Sequence, residues 1–380
     1  MSQTVLLGDV VEVNPSAPIK KGEDVKFVSM DAVQPFQRNI TYLETREYKG
    51  GAKFRNGDTL LARITPCLEN GKTAFVDFLD DNETAAGSTE FTVLRATPDT
   101  TDSEFIYYLS RSPEFRAYAI QSMVGTSGRQ RVQTDQLKSF EFKLPSLNEQ
   151  KEIAKVLSGL DQKIELNRRM NETLEEMGQA LFKHYFIDNP EAEEWDKFSL
   201  DDIAEFLNGL AMQKHPPKDT ENILPVIKIR ELNSGITDAT DFVTSDIPEK
   251  YIVCNGDMLF SWSGTLKVKI WTEGNGGLNQ HLFKVTSDKY PQWLYYYWTK
   301  YHLNQFVDTA ANKATTMGHI QRRHLKEARA SIPGNNKLKE VDQYIAPLHK
   351  QRVNCLLEIN NLAELRDSLL PRLMSGKVKM

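Results

Sequence analysis

Leu144-Pro145-Ser146-Leu147-Asn148-Glu149-Gln150 opens the stretch of this 380-residue chain that decides its fold. Acids and amides directly after a serine are a helix start. Apolar residues then return in alternating steps of four and three, at Ile153, Leu157, Leu160, Ile164, Leu174 and Leu181, with Asn167, Asn171 and Gly178 in the gaps. After Ile332-Pro333 the pattern recurs at Leu338, Val341, Ile345, Leu348, Cys355, Ile359, Leu362, Leu369 and Leu373, with Arg352 and Arg366 on the missing beats. A heptad seam this long points to a coiled coil. Shifted back by 188 residues, the second seam falls in the frame of the first: Leu157 matches Ile345, Leu160 Leu348, Leu174 Leu362 and Leu181 Leu369. Each stripe is too long for one small domain to cover, and the other stripe is its natural cover. At ~1.5 Å per residue, helices of roughly 38–40 residues are nearly 60 Å long. The first helix delivers the chain to the second half and the second leaves that half, so antiparallel packing is expected.

Outward from the seams, the chain repeats itself. Leu7-Gly8-Asp9-Val10-Val11-Glu12 returns as Leu200-Asp201-Asp202-Ile203-Ala204-Glu205, and Asn56-Gly57-Asp58-Thr59-Leu60-Leu61 as Asn255-Gly256-Asp257-Met258-Leu259-Phe260. Gln136-Leu137-Lys138 returns as His324-Leu325-Lys326. So long a period means a duplicated domain, not a solenoid. Each copy reads as short alternating strands, among them Val25–Met30, Thr59–Ile64, Thr73–Val76 and Glu90–Leu94, then Leu224–Ile229, Met258–Trp262, Lys267–Trp271 and His281–Val285. An aromatic-rich helix follows in each, around Phe105-Ile106-Tyr107-Tyr108 and Trp293-Leu294-Tyr295-Tyr296-Tyr297-Trp298, read mainly as core packing. The expected boundaries are 1–145 and 188–333 for the globular copies, and 146–187 and 334–380 for the helices. The fold class is α+β: two homologous α/β domains joined by a long antiparallel two-helix coiled coil with pseudo-two-fold symmetry. Asn189-Pro190 and the acids Asp188, Glu191, Glu193, Glu194 and Asp196 mark the junction between the copies.

Composition narrows the class. No apolar run approaches the ~18 residues of a membrane span, and Met1–Asn14 lacks the features of a signal peptide. Cys67, Cys254 and Cys355 show no metal-ligand spacing, so no metal site is expected and a reducing cytoplasm is the default location. The net charge of −5 argues against nucleic-acid binding over the whole surface, although the junction holds much of it.

Catalytic signatures are largely absent. Asn70-Gly71-Lys72-Thr73 looks like the tail of a phosphate-binding loop, but Pro66 stands where its first glycine belongs. Asn14-Pro15-Ser16-Ala17 lacks the aromatic of the methyltransferase tetrad it resembles. Asp135, Glu141 and Lys143 fit a nuclease pattern only loosely. What remains is polar and basic loop residues at matching places in both copies. Copy one has Arg63, Thr65, Asn70 and Lys72 around a turn, then Arg129, Gln130 and Arg131. Copy two has Trp262, Lys267 and Lys269, then Asn279, Gln280 and His281, then Lys313, Thr315, Thr316, His319, Gln321, Arg322 and Arg323. Arg, Asn and Gln read base edges with paired hydrogen bonds, and Lys and Thr suit phosphates. These residues are the candidate DNA-binding set.

Taken together, the chain resembles the DNA-specificity (S) subunit of type I restriction-modification systems. The resemblance runs over essentially the whole length. It is carried by the Leu-Gly-Asp-Val and Leu-Asp-Asp-Ile starts, the two Asn-Gly-Asp strands, Gly277-Leu278-Asn279-Gln280-His281-Leu282-Phe283, and Leu144–Gln150 leading into Ile153 and Leu157. Ile332-Pro333-Gly334-Asn335-Asn336 departs from the pattern by lacking the Glu-Gln that opens the helix. The resemblance implies that each copy is a target recognition domain reading one half of a bipartite double-stranded DNA site. It implies that the helices act as ruler and as docking sites for two methyltransferase subunits, with motor-nuclease subunits completing the complex. Such a subunit performs no chemistry and carries no cofactor; S-adenosylmethionine and ATP with Mg²⁺ belong to its partners. Two other readings stay open at this point: a coiled-coil adaptor with protein-binding end domains, and a self-contained nuclease built on Asp135, Glu141 and Lys143.

Overall fold

A computed structural model describes residues 3–126, 128–311 and 318–378. The chain divides into two compact units, one formed by residues 1–165 with 361–380 and the other by 166–360. Both units carry the same two four-stranded sheets. In the first unit, Val11–Val13, Phe91–Ala96, Thr59–Ala62 and Thr73–Phe75 lie side by side, antiparallel. Its second sheet runs Glu44–Glu47, Asp24–Val28, Ala85–Gly87, Ala52–Phe54, with one parallel contact between Asp24–Val28 and Ala85–Gly87. The second unit repeats the order strand for strand. Glu205–Asn208, Leu282–Thr286, Met258–Ser261 and Val268–Ile270 form one sheet, and Phe242–Thr244, Ile223–Ile227, Gly276–Leu278 and Ile252–Val253 the other.

The aromatic helices cover the first sheet of each unit, as their composition indicates. Phe105, Tyr107 and Tyr108 are almost wholly buried, as are Trp293, Tyr296, Tyr297 and Trp298. Ser112-Pro113 splits the first unit's version into Ser103–Arg111 and Pro113–Gln121, whereas Gln292–Ala311 is one helix.

The two long helices are Leu147–Phe182 and Asn335–Met374, of 36 and 40 residues. The first begins where a capping box forms: Glu149 accepts from the Ser146 backbone N–H and hydroxyl at 2.9 and 2.8 Å. Gln150, fully buried, then ties the helix to the domain. Its carbonyl accepts from the Asp102 N–H at 2.9 Å, and its amide donates to the Thr100 and Pro145 carbonyls at 3.1 and 3.0 Å. The second helix lacks that Glu-Gln start and is tied by other residues. Trp293 Nε1 donates to Asp342 at 2.6 Å, and His349 Nε2 lies 3.0 Å from the Gln292 side-chain oxygen.

Along the seams, Ile153, Leu157, Ile164, Val341 and Ile345 are buried, while Leu160, Leu174, Leu181, Leu348, Ile359, Leu362 and Leu369 are half-buried. Each fully buried aliphatic side chain contributes roughly 1.5–3 kcal/mol. The gaps in the heptads are filled by polar groups. In the first unit, Asp161 meets Arg366 at 2.6 Å, Arg111 at 3.4 Å and the Tyr108 hydroxyl at 2.7 Å, all of these buried. In the second unit, Arg352 Nε lies 2.8 Å from Glu175, which also pairs with Lys300 and accepts from the Tyr296 hydroxyl. Tyr185 stacks on Tyr344 in that same unit. Within this unit Glu175 meets Arg352 and Tyr185 meets Tyr344, so the numbers rise on one helix as they fall on the other and the pairing is antiparallel.

Candidate nucleic-acid interface

Within each unit, three strand ends converge at the edge of the first sheet. In the first unit the last rung is Ala62 opposite Phe91, so the chain leaves the sheet at Arg63 and Glu90. The Arg63 N–H donates to the Glu90 carbonyl at 2.9 Å, and the segment at Arg131 joins through a bridge to Ile64 and a 2.9 Å bond from the Val132 N–H to the Arg63 carbonyl. The second unit uses the same frame. Ser261 opposes Leu282, the Trp262 N–H donates to the His281 carbonyl at 3.4 Å, His319 bridges Ser263, and the Ile320 N–H donates to the Trp262 carbonyl at 2.9 Å. Arg63, Glu90 and Arg131 thus correspond to Trp262, His281 and His319.

The side chains on this frame differ in kind. In the first unit, Arg131 Nε donates to both Glu90 oxygens at 3.1 and 2.9 Å, and Nη2 donates to one at 2.6 Å. These bonds hold the Glu90 carboxyl below the usual carboxylate range against the opposing effect of burial. Beside them Arg63 borders a cavity of about 350 Å³ with Asn14, Lys53 and Thr89. Asn14 closes the strand end by accepting from the Val93 N–H at 3.0 Å. In the second unit the centre is Trp262, with its ring 5.7 Å from His281, 6.3 Å from His319 and 6.1 Å from Phe283. Its Nε1 donates to Asn208 at 2.9 Å, and the His281 Nδ1 lies 3.2 Å from the Ser263 hydroxyl. Arg322 lies over Phe283 at 5.9 Å and donates to the Phe206 carbonyl at 3.1 Å, lining a cavity of about 300 Å³ with Trp262, His319 and Gln321. Planar faces, a guanidinium and amides at one open edge are the groups that contact bases and phosphates.

The other candidates from the sequence are placed as follows. Arg129 is exposed, and the Gln130 carbonyl accepts from the Thr65 N–H at 3.0 Å, so Thr65, Arg129 and Gln130 border the first cluster. Asn70 is exposed at the hairpin turn, and Lys72 Nζ donates inward to the Met30 carbonyl at 2.9 Å. Gln280 adjoins His281 at 3.4 Å, and Arg323 Nε donates to His324 at 3.3 Å. Lys269 pairs with Glu273 at 3.2 Å, and burial followed by the Lys269 charge lowers the pKa of Lys267. Asn279 is 5% exposed and supports its own turn, accepting from the His281 N–H at 3.3 Å. Lys313, with Thr315 and Thr316, lies outside the described residues. The sequence reading passed over Glu90, Asn208 and Phe283 as site residues. Aligning the two copies rung by rung finds Glu90, because it precedes Phe91 as His281 precedes Leu282.

The weaker catalytic patterns resolve into ordinary packing and pairing. Gly71 packs against the Phe36 ring, and Lys72 points to backbone, so no phosphate nest forms at that turn. Asp135 pairs with Lys138 on a short helix, while Glu141 and Lys143 lie exposed on the strand paired with Gln3–Leu6. Among the described residues no group of three His, Cys, Asp or Glu side chains could hold a metal ion, and no helix is long and apolar enough to cross a membrane.

Comparison with known proteins agrees with this duplicated frame. Residues 2–176 and 192–362 each match the family described as the type I restriction modification DNA specificity domain. The chain is 25% identical over 304 residues to the MjaIX specificity subunit of Methanocaldococcus jannaschii, covering 73% of this chain and 69% of that one. It is 21% identical over 414 residues to the HindI specificity subunit of Haemophilus influenzae, covering 88% and 89%. Among solved structures, the type I restriction-modification S subunit from M. genitalium shares its fold with a TM-score of 0.57 at 14% identity, over 98% of this chain and 96% of that one.

Proposed function

This chain belongs to the type I restriction-modification DNA specificity family, and we propose that each of its units reads one half of a split duplex sequence through its strand-end cluster. The protein is a non-catalytic specificity subunit that supplies DNA sequence recognition to a multisubunit complex. The observation that carries the residue-level reading is the shared frame with unlike side chains. Matching backbone hydrogen bonds present Arg63, Glu90 and Arg131 in one unit and Trp262, His281 and His319 in the other. A scaffold that holds its ends constant while their chemistry differs suits two readers of two different half-sites.

The partners are methyltransferase and motor-nuclease subunits, two of the former docking on the long helices. S-adenosylmethionine, ATP and Mg²⁺ are bound by those partners in the cytoplasm, and this chain orients them on DNA. With a net charge of −5, the free chain binds DNA weakly, and phosphate contacts from the partners supply most of the salt-dependent affinity.

The test is methylation mapping of the assembled methyltransferase complex. The expected motif is two-part, and Arg322→Ala or Trp262→Ala relaxes positions in one half while leaving the other intact. A continuous motif, or variants that shift both halves alike, overturns the reading.

A further inference from the structure

We propose that Arg131 reads a guanine in the half-site of the first unit, held in its reading pose by Glu90. This rests on the reading of the strand-end clusters as the DNA-contacting face and adds the base and the residue.

A guanidinium has two useful edges. In Arg131 the Nε and Nη2 edge is occupied by Glu90, through bonds of 2.6 to 3.1 Å. The Nη1 end carries only a long 3.4 Å bond to the Arg129 carbonyl. The second edge is thus available for two parallel donors, and guanine offers two matching acceptors, O6 and N7, in the major groove. The backbone beneath is pinned on both sides by the Ile64 bridge and the Thr65-to-Gln130 and Val132-to-Arg63 bonds. Both the stem and the fork are therefore set before DNA arrives, which reduces the ordering required on binding.

The competing role is a brace for the fold, and two observations weigh against it. Four paired arginines of this unit are inside: the Arg38, Arg95, Arg111 and Arg366 side chains are 6, 11, 3 and 4% exposed, whereas Arg46, paired with Glu44, is 50% exposed. The Arg131 side chain is 38% exposed, and ion pairs at such sites add little stability. The second unit also builds the same three-strand junction with His281 and His319 in the two positions, so the frame does not need an Arg–Glu pair.

The experiment uses the methyltransferase complex assembled with the wild-type chain and with Arg131→Ala, Arg131→Lys and Glu90→Gln. Methylated motifs are mapped, and affinity is measured for duplexes substituted one base pair at a time, at several salt concentrations. Both Arg131 variants are expected to lose on the order of 5- to 150-fold discrimination at one G·C pair of one half-site. Glu90→Gln loses discrimination at the same pair to a lesser degree, with the salt slope unchanged. Lysine retains the charge and most of the stem, so an effect shared by lysine and alanine is not a folding failure. The proposal is overturned if Arg131→Lys matches wild type while Arg131→Ala weakens all sequences alike, which is a phosphate contact. It is also overturned if the variants keep motif and affinity and lose only stability. A wild-type complex with an unbroken motif overturns the site reading as well, whereas a split motif that survives Arg131→Ala overturns this inference alone.

Discussion

Replacing Arg366 with methionine keeps most of the side chain's length and apolar contact but removes the guanidinium beside Asp161. The Arg366–Asp161 contact is 2.6 Å long, with side chains 4 and 3% exposed. Without Arg366 the Asp161 carboxylate stays in a site that water does not reach, keeping the Tyr108 hydroxyl at 2.7 Å and Arg111 at 3.4 Å. Breaking a buried pair from one side is destabilising by roughly 3–5 kcal/mol, and the remaining Arg111 charge sets the expected loss near the lower end, about 3 kcal/mol. For a unit of this size that is a fall of roughly 6–12 °C in melting temperature. Removing both partners, as Asp161→Leu with Arg366→Met, leaves no isolated carboxylate. It also strands the buried Arg111 guanidinium, left with Asp367 at 3.8 Å, together with the Tyr108 hydroxyl, so the double variant should recover part of the loss and stay below the wild type by at least about 1 kcal/mol. Urea and thermal unfolding followed by circular dichroism measure Arg366→Met, Asp161→Leu and the double variant. A single-variant loss below about 1 kcal/mol, or a double variant equal to the sum of the singles, would refute the view that this layer is a dry, coupled ion pair.

Two glycines on the first long helix should respond in opposite directions. A Cβ at Gly178 would stand 1.9 Å from the Tyr297 hydroxyl, so Gly178→Ala should destabilise by roughly 1–3 kcal/mol despite alanine's better helix propensity. Gly159 has nothing within 4 Å, so Gly159→Ala should stabilise by up to about 1 kcal/mol; equal effects in urea unfolding would show that Gly178 is not closely packed. Burial, reinforced by the Arg352 charge, lowers the His349 imidazole to about 4, while an unfolded histidine titrates near 6.5. Between those values only the unfolded chain takes up the proton, so stability falls as pH drops through that window, by on the order of 2 kcal/mol at pH 5. His349→Gln should flatten the pH 7 to pH 5 difference in urea midpoints, and an unaltered slope would place the titration elsewhere.

The sequence displayed the long helices most clearly, because a seven-residue rhythm sustained over five repeats arises from little besides a helix with a continuous apolar seam. The duplication and half of the strands of the four-stranded sheets were legible for a similar reason: Asn-Gly-Asp turns and alternating residues are local signals. Ala85–Gly87 and Gly276–Leu278 were not legible. They are inner strands of the second sheets, built on alanine and glycine apart from Leu278; a Cβ on Gly277 would meet Met212 and Val243 at 3.0 and 3.1 Å. Their β-conformation is imposed by neighbours, and no propensity announces it. The candidate site was half legible. Arg63, Arg131, Trp262, His281 and Arg322 stood out as polar or aromatic groups at matching loops, whereas Glu90 was hidden because an acid is not sought in a cluster proposed to bind DNA. Lys72 and Asn279 look identical in sequence to surface groups, and only tertiary contacts show that one donates inward and the other is buried.

The junction of three strand ends is stitched by main-chain atoms, and that has a consequence for how such a protein changes over time. Because the bonds at Arg63 and Arg131, or at Trp262 and His319, need no particular side chain, the main-chain junction itself does not depend on which side chains stand there. If the strand-end clusters read DNA as proposed, target preference can then drift in one unit while its main-chain junction stays in place, and new pairings of half-sites arise by exchange of a few side chains.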